Sequence, residues 1–310
     1  MITDLFTAQV LIGVLTSGIR LATPYLYAAI GETFGQRSGV LNLGVDGMML
    51  MGAFSAYYVV LRSGNLALGL LIACLVGALM GLAMAFISVT LHAQQGISGI
   101  GVYLFGLGMS DLLFQAFIGT PIPISGFPIF PIPLLSQIPI IGGIFFQQNI
   151  LVYGAYLLVP IAWFVLNKTT FGLQIRAVGE NPESADSLGV NVARVRYITV
   201  TVGGLLAGLA GASLSIAMVN IFQQNLTNGL GFIAVALVYF GGWRPTYVLA
   251  GSLIFSLVSA LQLWVQVLRI PIPSDIAVMM PYILTIVVLV LTAQRVRPPA
   301  ALTKPYSRGG

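Results

Sequence analysis

Charge is what this sequence has least of. Only 7% of its 310 residues are Asp, Glu, Lys or Arg, where a soluble domain carries about 25%. So few charges cannot cover a water-facing surface of ordinary size, which excludes a soluble globular protein. There is one cysteine, Cys74, inside an apolar run, so no internal disulfide can form. The single histidine, His92, leaves no partner histidines for a zinc site or a second set of triad members. Its place at the end of an apolar run marks an interfacial residue. The two lysines, Lys168 and Lys304, follow no GxxxxGK[ST] loop, so ATP cannot be held here in the Walker manner. Paired acids and a nucleophile–base set are also missing, which argues against an intramembrane enzyme. No basic run carries interleaved aromatics. The net charge of +5 and pI of about 9.5 therefore read as Lys and Arg held on the cytoplasmic side rather than as nucleic-acid binding. The opening MITDLF lacks the basic region of a signal peptide, which predicts that the first apolar run is retained.

What is present is apolar: 58% hydrophobic residues, mean hydropathy +0.99, 36 glycines and 16 prolines. The long runs lack strand-like alternation, so they predict helices and not barrel strands. The expected fold is all-α, a polytopic membrane helical bundle in one domain over 1–310, with about 8–10 transmembrane helices and broken or re-entrant segments. Spans are expected at about 5–30, 43–61, 66–91, 96–118, 149–166, 197–219, 246–268 and 276–293, with a shorter glycine-bounded segment at 229–242. Pro24 should kink or break the first. In the third, Ala73, Gly77, Gly81 and Ala85 share one face, where another backbone can approach closely. The glycines at 96, 99, 101, 106 and 108, followed by Asp111 and Gln115, predict a broken or re-entrant element. Residues 119–148 carry prolines at 121, 123, 128, 131, 133 and 139 and no charge, which predicts an outward-facing loop over the outer mouth. Pro271 and Pro273 suit a tight outer turn. Arg295, Arg297, Lys304 and Arg308 fix the C-terminus on the cytoplasmic side. Counting back gives about nine crossings with Asp4 outside.

The anomaly is the stretch from Gly31 to Ala53, GETFGQRSGVLNLGVDGMMLMGA. It carries Glu32, Arg37, Asn42 and Asp46 between apolar runs. Each ionised group at membrane depth costs roughly 2.5–3.5 kcal/mol even on insertion scales, and glycine-broken backbone survives there only against protein or a wet cavity. Two readings stay open: a permeation element, or a cytoplasmic-face loop that turns the chain around.

The most charged segment, about 168–196, is short and positive, and so cytoplasmic. Within it Asn181 to Gly189 reads as a complete short helix. Asn181 caps it, Pro182 takes the first position, Glu183 sits where the dipole favours an acid, and Gly189 supplies the left-handed stop. Two turns are too few to be stable alone, which suggests an element gripped by another protein.

Glu183-Ser184-Ala185, three residues, then Gly189 resembles the EAA-x-x-x-G coupling element of bacterial ABC importer permeases. RSGVLNLGVDGMMLMGA and GLGFIAVALVYFGGWRP, at 229–245, resemble the glycine-rich signatures of the branch that groups simple-sugar, nucleoside and branched-chain amino-acid permeases, nearest the nucleoside type. The departures are Gln36 and Asp46, where the pattern usually has Glu. The resemblance implies a non-catalytic permease subunit in a bacterial inner membrane, moving a nucleoside or related sugar-containing solute inward. It implies a cytoplasmic ATP-binding subunit that holds the ATP and Mg, a second and different permease subunit, an extracytoplasmic substrate-binding protein, and surrounding membrane lipids. It places coupling at Asn181, Pro182, Glu183, Ala185, Leu188 and Gly189. Pathway candidates are Asn42, Asp46, Phe232, Tyr103 and Phe105. This chain itself is expected to hold no cofactor and no metal. The alternative from another class is an ion-coupled secondary transporter using Glu32, Asp46 or Asp111. Simple sugars and branched-chain amino acids remain as alternative solutes.

Overall fold

The first helix, α1 (Ala8–Arg37), runs for 30 residues straight through Pro24. The computed structural model describes residues 8–139, 141–268, 273–292 and 297–307; Asp4, Pro271, Arg295 and Arg308 lie outside them. The sequence predicts a glycine-broken chain from Gly31 onward, yet the helix continues to Arg37 and the break falls at 38–44. Gly31 lies against the backbone of Gly203 instead of opening its own. A glycine costs about 1 kcal/mol in a helix interior, less than an unsatisfied backbone pair costs in hydrocarbon.

After the break come α2 (Val45–Ser63), α3 (Leu66–Ala85) with a π turn at Phe86–Thr90, and α4 (Gln95–Phe117). Here α4 is one continuous helix, so the expected break at 96–118 is not found. Its glycines divide by face: Gly99 and Gly106 touch the backbones of Leu43 and Gly47, whereas Gly96, Gly101 and Gly108 meet open space. Close packing, not chain reversal, accounts for the first pair.

The proline-rich loop forms a small antiparallel pair, β1 (Ile129–Pro131) with β2 (Gln147–Asn149), and a short helix α5 (Ile141–Phe145). It is tied to the chain at 216–220: the Ile124 amide donates to Asn220 O at 2.9 Å and the Phe127 amide to Ile216 O at 3.0 Å. Next come α6 (Ile150–Lys168), α7 (Thr170–Glu180), α8 (Pro182–Ser187), α9 (Val192–Ser213) with a π turn at Leu214–Met218, α10 (Leu230–Phe240), α11 (Pro245–Val267) and α12 (Ser274–Thr292). Asparagine starts four of these helices. Asn65, Asn149, Asn181 and Asn191 each accept the amide three residues on, at the heads of α3, α6, α8 and α9.

Six of the described helices are long and apolar enough to cross a membrane: Ala8–Arg37, Leu66–Thr90, Gln95–Phe117, Ile150–Lys168, Val192–Met218 and Pro245–Val267. The second and last helices, α2 and α12, add 19 residues each. The eleven residues of α10 reach only about half of a ~30 Å hydrocarbon core. Turns at 219–229 complete that pass, from Asn220 beside the proline-rich loop to Trp243 beside Arg37. The protein is thus a multi-pass helical membrane protein, with a broken pass where the sequence places its 229–242 segment.

The centre of the bundle is α9, against which α1, α2 and α3 all pack. The small-residue face of α3 is its seam. A Cβ on Gly77 would collide with Gly204 O, one on Gly204 with Gly77 O, and one on Gly208 with Ala73 O. The pairs 73/208, 77/204 and 81/200 define an antiparallel contact with backbone against backbone. On the opposite face Leu68, Leu71, Leu75, Leu79, Leu82 and Phe86 are exposed, as a lipid-facing stripe requires. Lipid gives helices no hydrophobic reason to associate, so the contact rests on closeness.

Candidate functional site

The 38–44 turn joins α1 to α2, and its backbone polar groups are met by side chains and chain from elsewhere. The Asn42 amide donates to Glu32 Oε1 at 2.9 Å and the Leu41 amide to Gln95 Oε1 at 2.8 Å. Asn42 Oδ1 accepts the Gly44 amide at 2.9 Å, just before α2 begins. Ser38 O accepts from Arg196 Nε at 3.1 Å, and Gly39 O from the Thr303 amide at 3.1 Å. Irregular backbone at this depth is satisfied by protein, as it must be. Gly39 adopts φ +93, a left-handed turn, and a Cβ there would press on Arg196 and Ala301.

Glu32 is 2% exposed and begins a chain of hydrogen bonds. Gln36 Nε2 donates to Glu32 Oε1 at 3.1 Å, while Gln36 Oε1 accepts from the Trp243 indole at 2.7 Å. Arg37 Nε donates to Trp243 O at 3.0 Å. The departure at Gln36 is accommodated locally: its amide both donates to Glu32 and accepts from Trp243. Arg37 finds its partner in a carbonyl, so it does not depend on an acid at 36.

Asp46 is fully buried and caps a helix that is remote in sequence. Its Oδ1 accepts the Gly231 amide at 2.7 Å and its Oδ2 the Thr227 hydroxyl at 3.0 Å. These groups lie at the start of α10, where free amides and the macrodipole favour an anion. Gly231 permits the contact, because a Cβ there would collide with Asp46 N and Cα. Such closeness suits the shorter arm of aspartate. Asn42 and Asp46 therefore lie together, both buried, joining the turn, α2 and α10.

Of the aromatic candidates, Tyr103 and Phe232 meet edge to face with centroids 5.0 Å apart, and the Tyr103 backbone abuts Gly47, next to Asp46. Phe232 is 37% exposed, so this pair borders open space. Phe105 lies on another side of α4, in an apolar groove with Met80, Ala83 and Ile87 of α3. The structure brings Asn42, Asp46, Tyr103 and Phe232 together and sets Phe105 apart.

A second feature went unread in the sequence. A cavity of about 180 Å³ among α1, α9, α10, α11 and α12 is lined by Tyr25, Asn228, Ser259, Gln262 and Tyr282, with apolar neighbours. Ser256, Ser259 and Gln262 recur every third residue along α11, a polar spacing that carried the signal.

The charged segment holds two helices, α7 and α8. Asn181 Oδ1 accepts the Ser184 amide at 3.0 Å, Pro182 opens α8 and Gly189 closes it at φ +85. Ala185 is buried against the body while Glu183, Leu188 and Gly189 face outward; Leu188 is 85% exposed. Two residues before the cap, Gly179 presses on the end of α1, where a Cβ would collide with Arg37 O. The C-terminal tail lies over the same place: the Ala301 amide donates to Gly179 O at 2.9 Å, and Arg196 Nη1 donates to Lys304 O at 3.1 Å. This basic face therefore gathers the turn, α7, α8 and the tail.

The sequence matches the family described as "Branched-chain amino acid transport system / permease component" over residues 14–289. It is 37% identical to a putative glucose ABC transporter permease protein of Haloferax volcanii, over 96% of this chain and 98% of that one. It is 35% identical to the guanosine ABC transporter permease protein NupQ of Bacillus subtilis, covering 97% and 98%. Identity to the nucleoside ABC transporter permease protein NupC of Lactococcus lactis is 36%, covering 90% and 92%. No solved structure matches.

Proposed function

Because the chain belongs to the permease-component family of branched-chain amino acid transport systems, and so is a non-catalytic membrane subunit of an ABC transporter, we propose that it carries a nucleoside into the cell as one membrane domain. The import role fits the family, and the solute rests on two supports. Relatives covering nearly the whole chain are named for guanosine and nucleosides, and the Tyr103–Phe232 pair offers ring faces to a flat base beside the Asn42–Asp46 cluster. In this reading Tyr103 and Phe232 border the path, Asn42 and Asp46 hold its shape, and Phe105 lies aside. Simple sugar is the second reading, favoured by the Haloferax relative.

The observation that carries the coupling reading is the contact of Gly179 with Arg37. A partner ATP-binding subunit, which holds ATP and Mg, grips α8 through Leu188 and Glu183. Its motion passes along α7 to the end of α1 and the 38–44 turn. From there the Glu32–Gln36–Trp243 chain reaches the α10–α11 turn, and Asp46 reaches the head of α10. The half-helix is the moving gate. Membership implies an ATPase and a substrate-binding protein in general; for this chain we assign a cytoplasmic ATPase, a second permease subunit of different sequence completing the path, and an extracytoplasmic binding protein. We assign the chain to a bacterial inner membrane and its C-terminus to the cytoplasmic side with α8, a reading supported by the docking of the tail beside α7.

The test is uptake by vesicles holding the purified complex, supplied with guanosine, glucose or leucine. Saturable, ATP-dependent uptake of guanosine supports the assignment; uptake of glucose alone moves it to the sugar reading.

A further inference from the structure

On the basic face, beyond the coupling helix, three arginines from separate elements converge on one cavity of about 380 Å³. Arg37 comes from the end of α1, Arg176 from α7 and Arg244 from the head of α11. Two are already aimed: Arg37 Nε is fixed on Trp243 O at 3.0 Å, and Arg176 Nε on Gly172 O at 3.4 Å. Among the described residues, neither arginine's terminal Nη nitrogens have a hydrogen-bond partner, which leaves them for a ligand. Arg244 lies 5.7 Å over the Tyr247 ring. The cavity also takes in the first turn of α11, at Pro245 and Thr246, where amides and dipole add positive character. Glu180 opposes Arg37 from α7, one acid against three guanidinium groups.

The aromatic walls tell where this cavity opens. Trp163 and Tyr247 line it and are 41% and 57% exposed. Trp163 shares the outer face of α6 with the exposed Leu157, Ile161 and Phe164, and Tyr247 shares that of α11 with the exposed Ile254. Those are apolar faces of membrane helices, so the cavity opens sideways toward acyl chains as well as toward water. Trp and Tyr at such a level are headgroup-depth residues.

We propose that this cavity binds the headgroup of an anionic phospholipid in the adjoining leaflet, its phosphate held by Arg37, Arg176 and Arg244 and its acyl chains lying between α6 and α11. A planar guanidinium presents paired donors to phosphate oxygens, and a basic pocket between helices on this face fits that ligand. The lipid bridges α1, α7 and α11; the Arg37–Trp243 bond already ties α1 to the turn that precedes α11.

The experiment is native mass spectrometry of the full chain after exchange into micelles doped with phosphatidylglycerol or phosphatidylcholine. The wild type should retain phosphatidylglycerol in preference, and Arg176→Gln with Arg244→Gln together should weaken that retention about thirtyfold. Arg176→Lys with Arg244→Lys should recover most of it. Equal retention by wild type and the glutamine variant overturns the proposal. So does displacement of the lipid by inorganic phosphate, which would make this a free-anion site. Loss of ATPase-subunit binding with lipid retention unchanged would make it a protein surface instead. A measurement on the wild type stands apart from any folding defect in the variants. Phosphatidylglycerol brominated near its headgroup should quench tryptophan fluorescence more than the matched phosphatidylcholine, and Trp163→Phe should shrink the difference to what the buried Trp243 on the same cavity retains; equal quenching by the two lipids contradicts the site.

Discussion

Asp46 of α2 caps α10 across 185 positions of sequence, its Oδ1 2.7 Å from the Gly231 amide. A half-length helix that starts inside the membrane needs a partner for its first amides, and this carboxylate supplies it. The bond joins the two glycine-rich signatures into one device. In the proposed mechanism this bond would let Asp46 anchor the head of α10 beside the path.

Asp46→Asn keeps the shape and removes the charge. Hydrogen bonds to charged groups contribute about 1.5–3 kcal/mol against about 1 for neutral ones, so α10 should lose roughly 1 kcal/mol of anchoring. Membrane insertion should be normal and uptake slower by about fivefold. Unchanged uptake kinetics, measured in vesicles of the complex, would remove Asp46 from gating.

The α3–α9 seam makes a paired prediction. Gly204→Ala places a methyl group on Gly77 O and should cost about 1–3 kcal/mol, as overpacking does. Gly101→Ala, facing open space on α4, should be neutral or stabilising by up to about 1 kcal/mol. Thermal unfolding in detergent separates the two; equal effects would mean that the seam is not close-packed in solution.

Gln36→Glu sets a second carboxylate against Glu32 and removes the donor between them. Buried and unpaired, that arrangement should cost about 3 kcal/mol or more. Adding Glu32→Gln restores one donor and one acid, and should recover most of the loss. A double-mutant cycle on stability checks this: additive effects would mean that Glu32 and Gln36 are not coupled.

How much of this was legible in the sequence differs by element. The α8 cap, its left-handed stop and the small-residue face of α3 were readable because each depends on neighbours within four residues. The half-helix at 229–242 announced itself through its bounding glycines. The glycines of α4 misled, since composition cannot say whether a glycine opens a helix or admits a neighbour; Gly99 and Gly106 admit Leu43 and Gly47. The distant partners of Gln36 and Asp46 were out of reach, because Trp243, Thr227 and Gly231 lie about two hundred positions away and no periodicity links them. The tail on Gly39 and Gly179 was invisible for the same reason. Asn42 and Asp46 were singled out by their cost in a membrane; their neighbours came only with the fold.

The coupling helix is tested by its stop. Gly189 has φ +85 with open space around it, so Gly189→Val suffers from backbone strain of about 1–2 kcal/mol and not from a clash. It should unwind the end of α8 and displace Leu188. ATPase activity of the complex should persist while uptake falls; Glu183→Lys should act alike. Parallel loss of both activities would point to failed assembly rather than uncoupling.

The most direct measurement is uptake of labelled guanosine into vesicles under two conditions: the chain with its ATPase, second permease and binding protein, and the chain alone under an imposed proton or sodium gradient. The account predicts uptake that requires ATP in the first and none above background in the second. Robust gradient-driven uptake by the chain alone would contradict it and move Glu32, Asp46 and Asp111 to the centre of an ion-coupled mechanism.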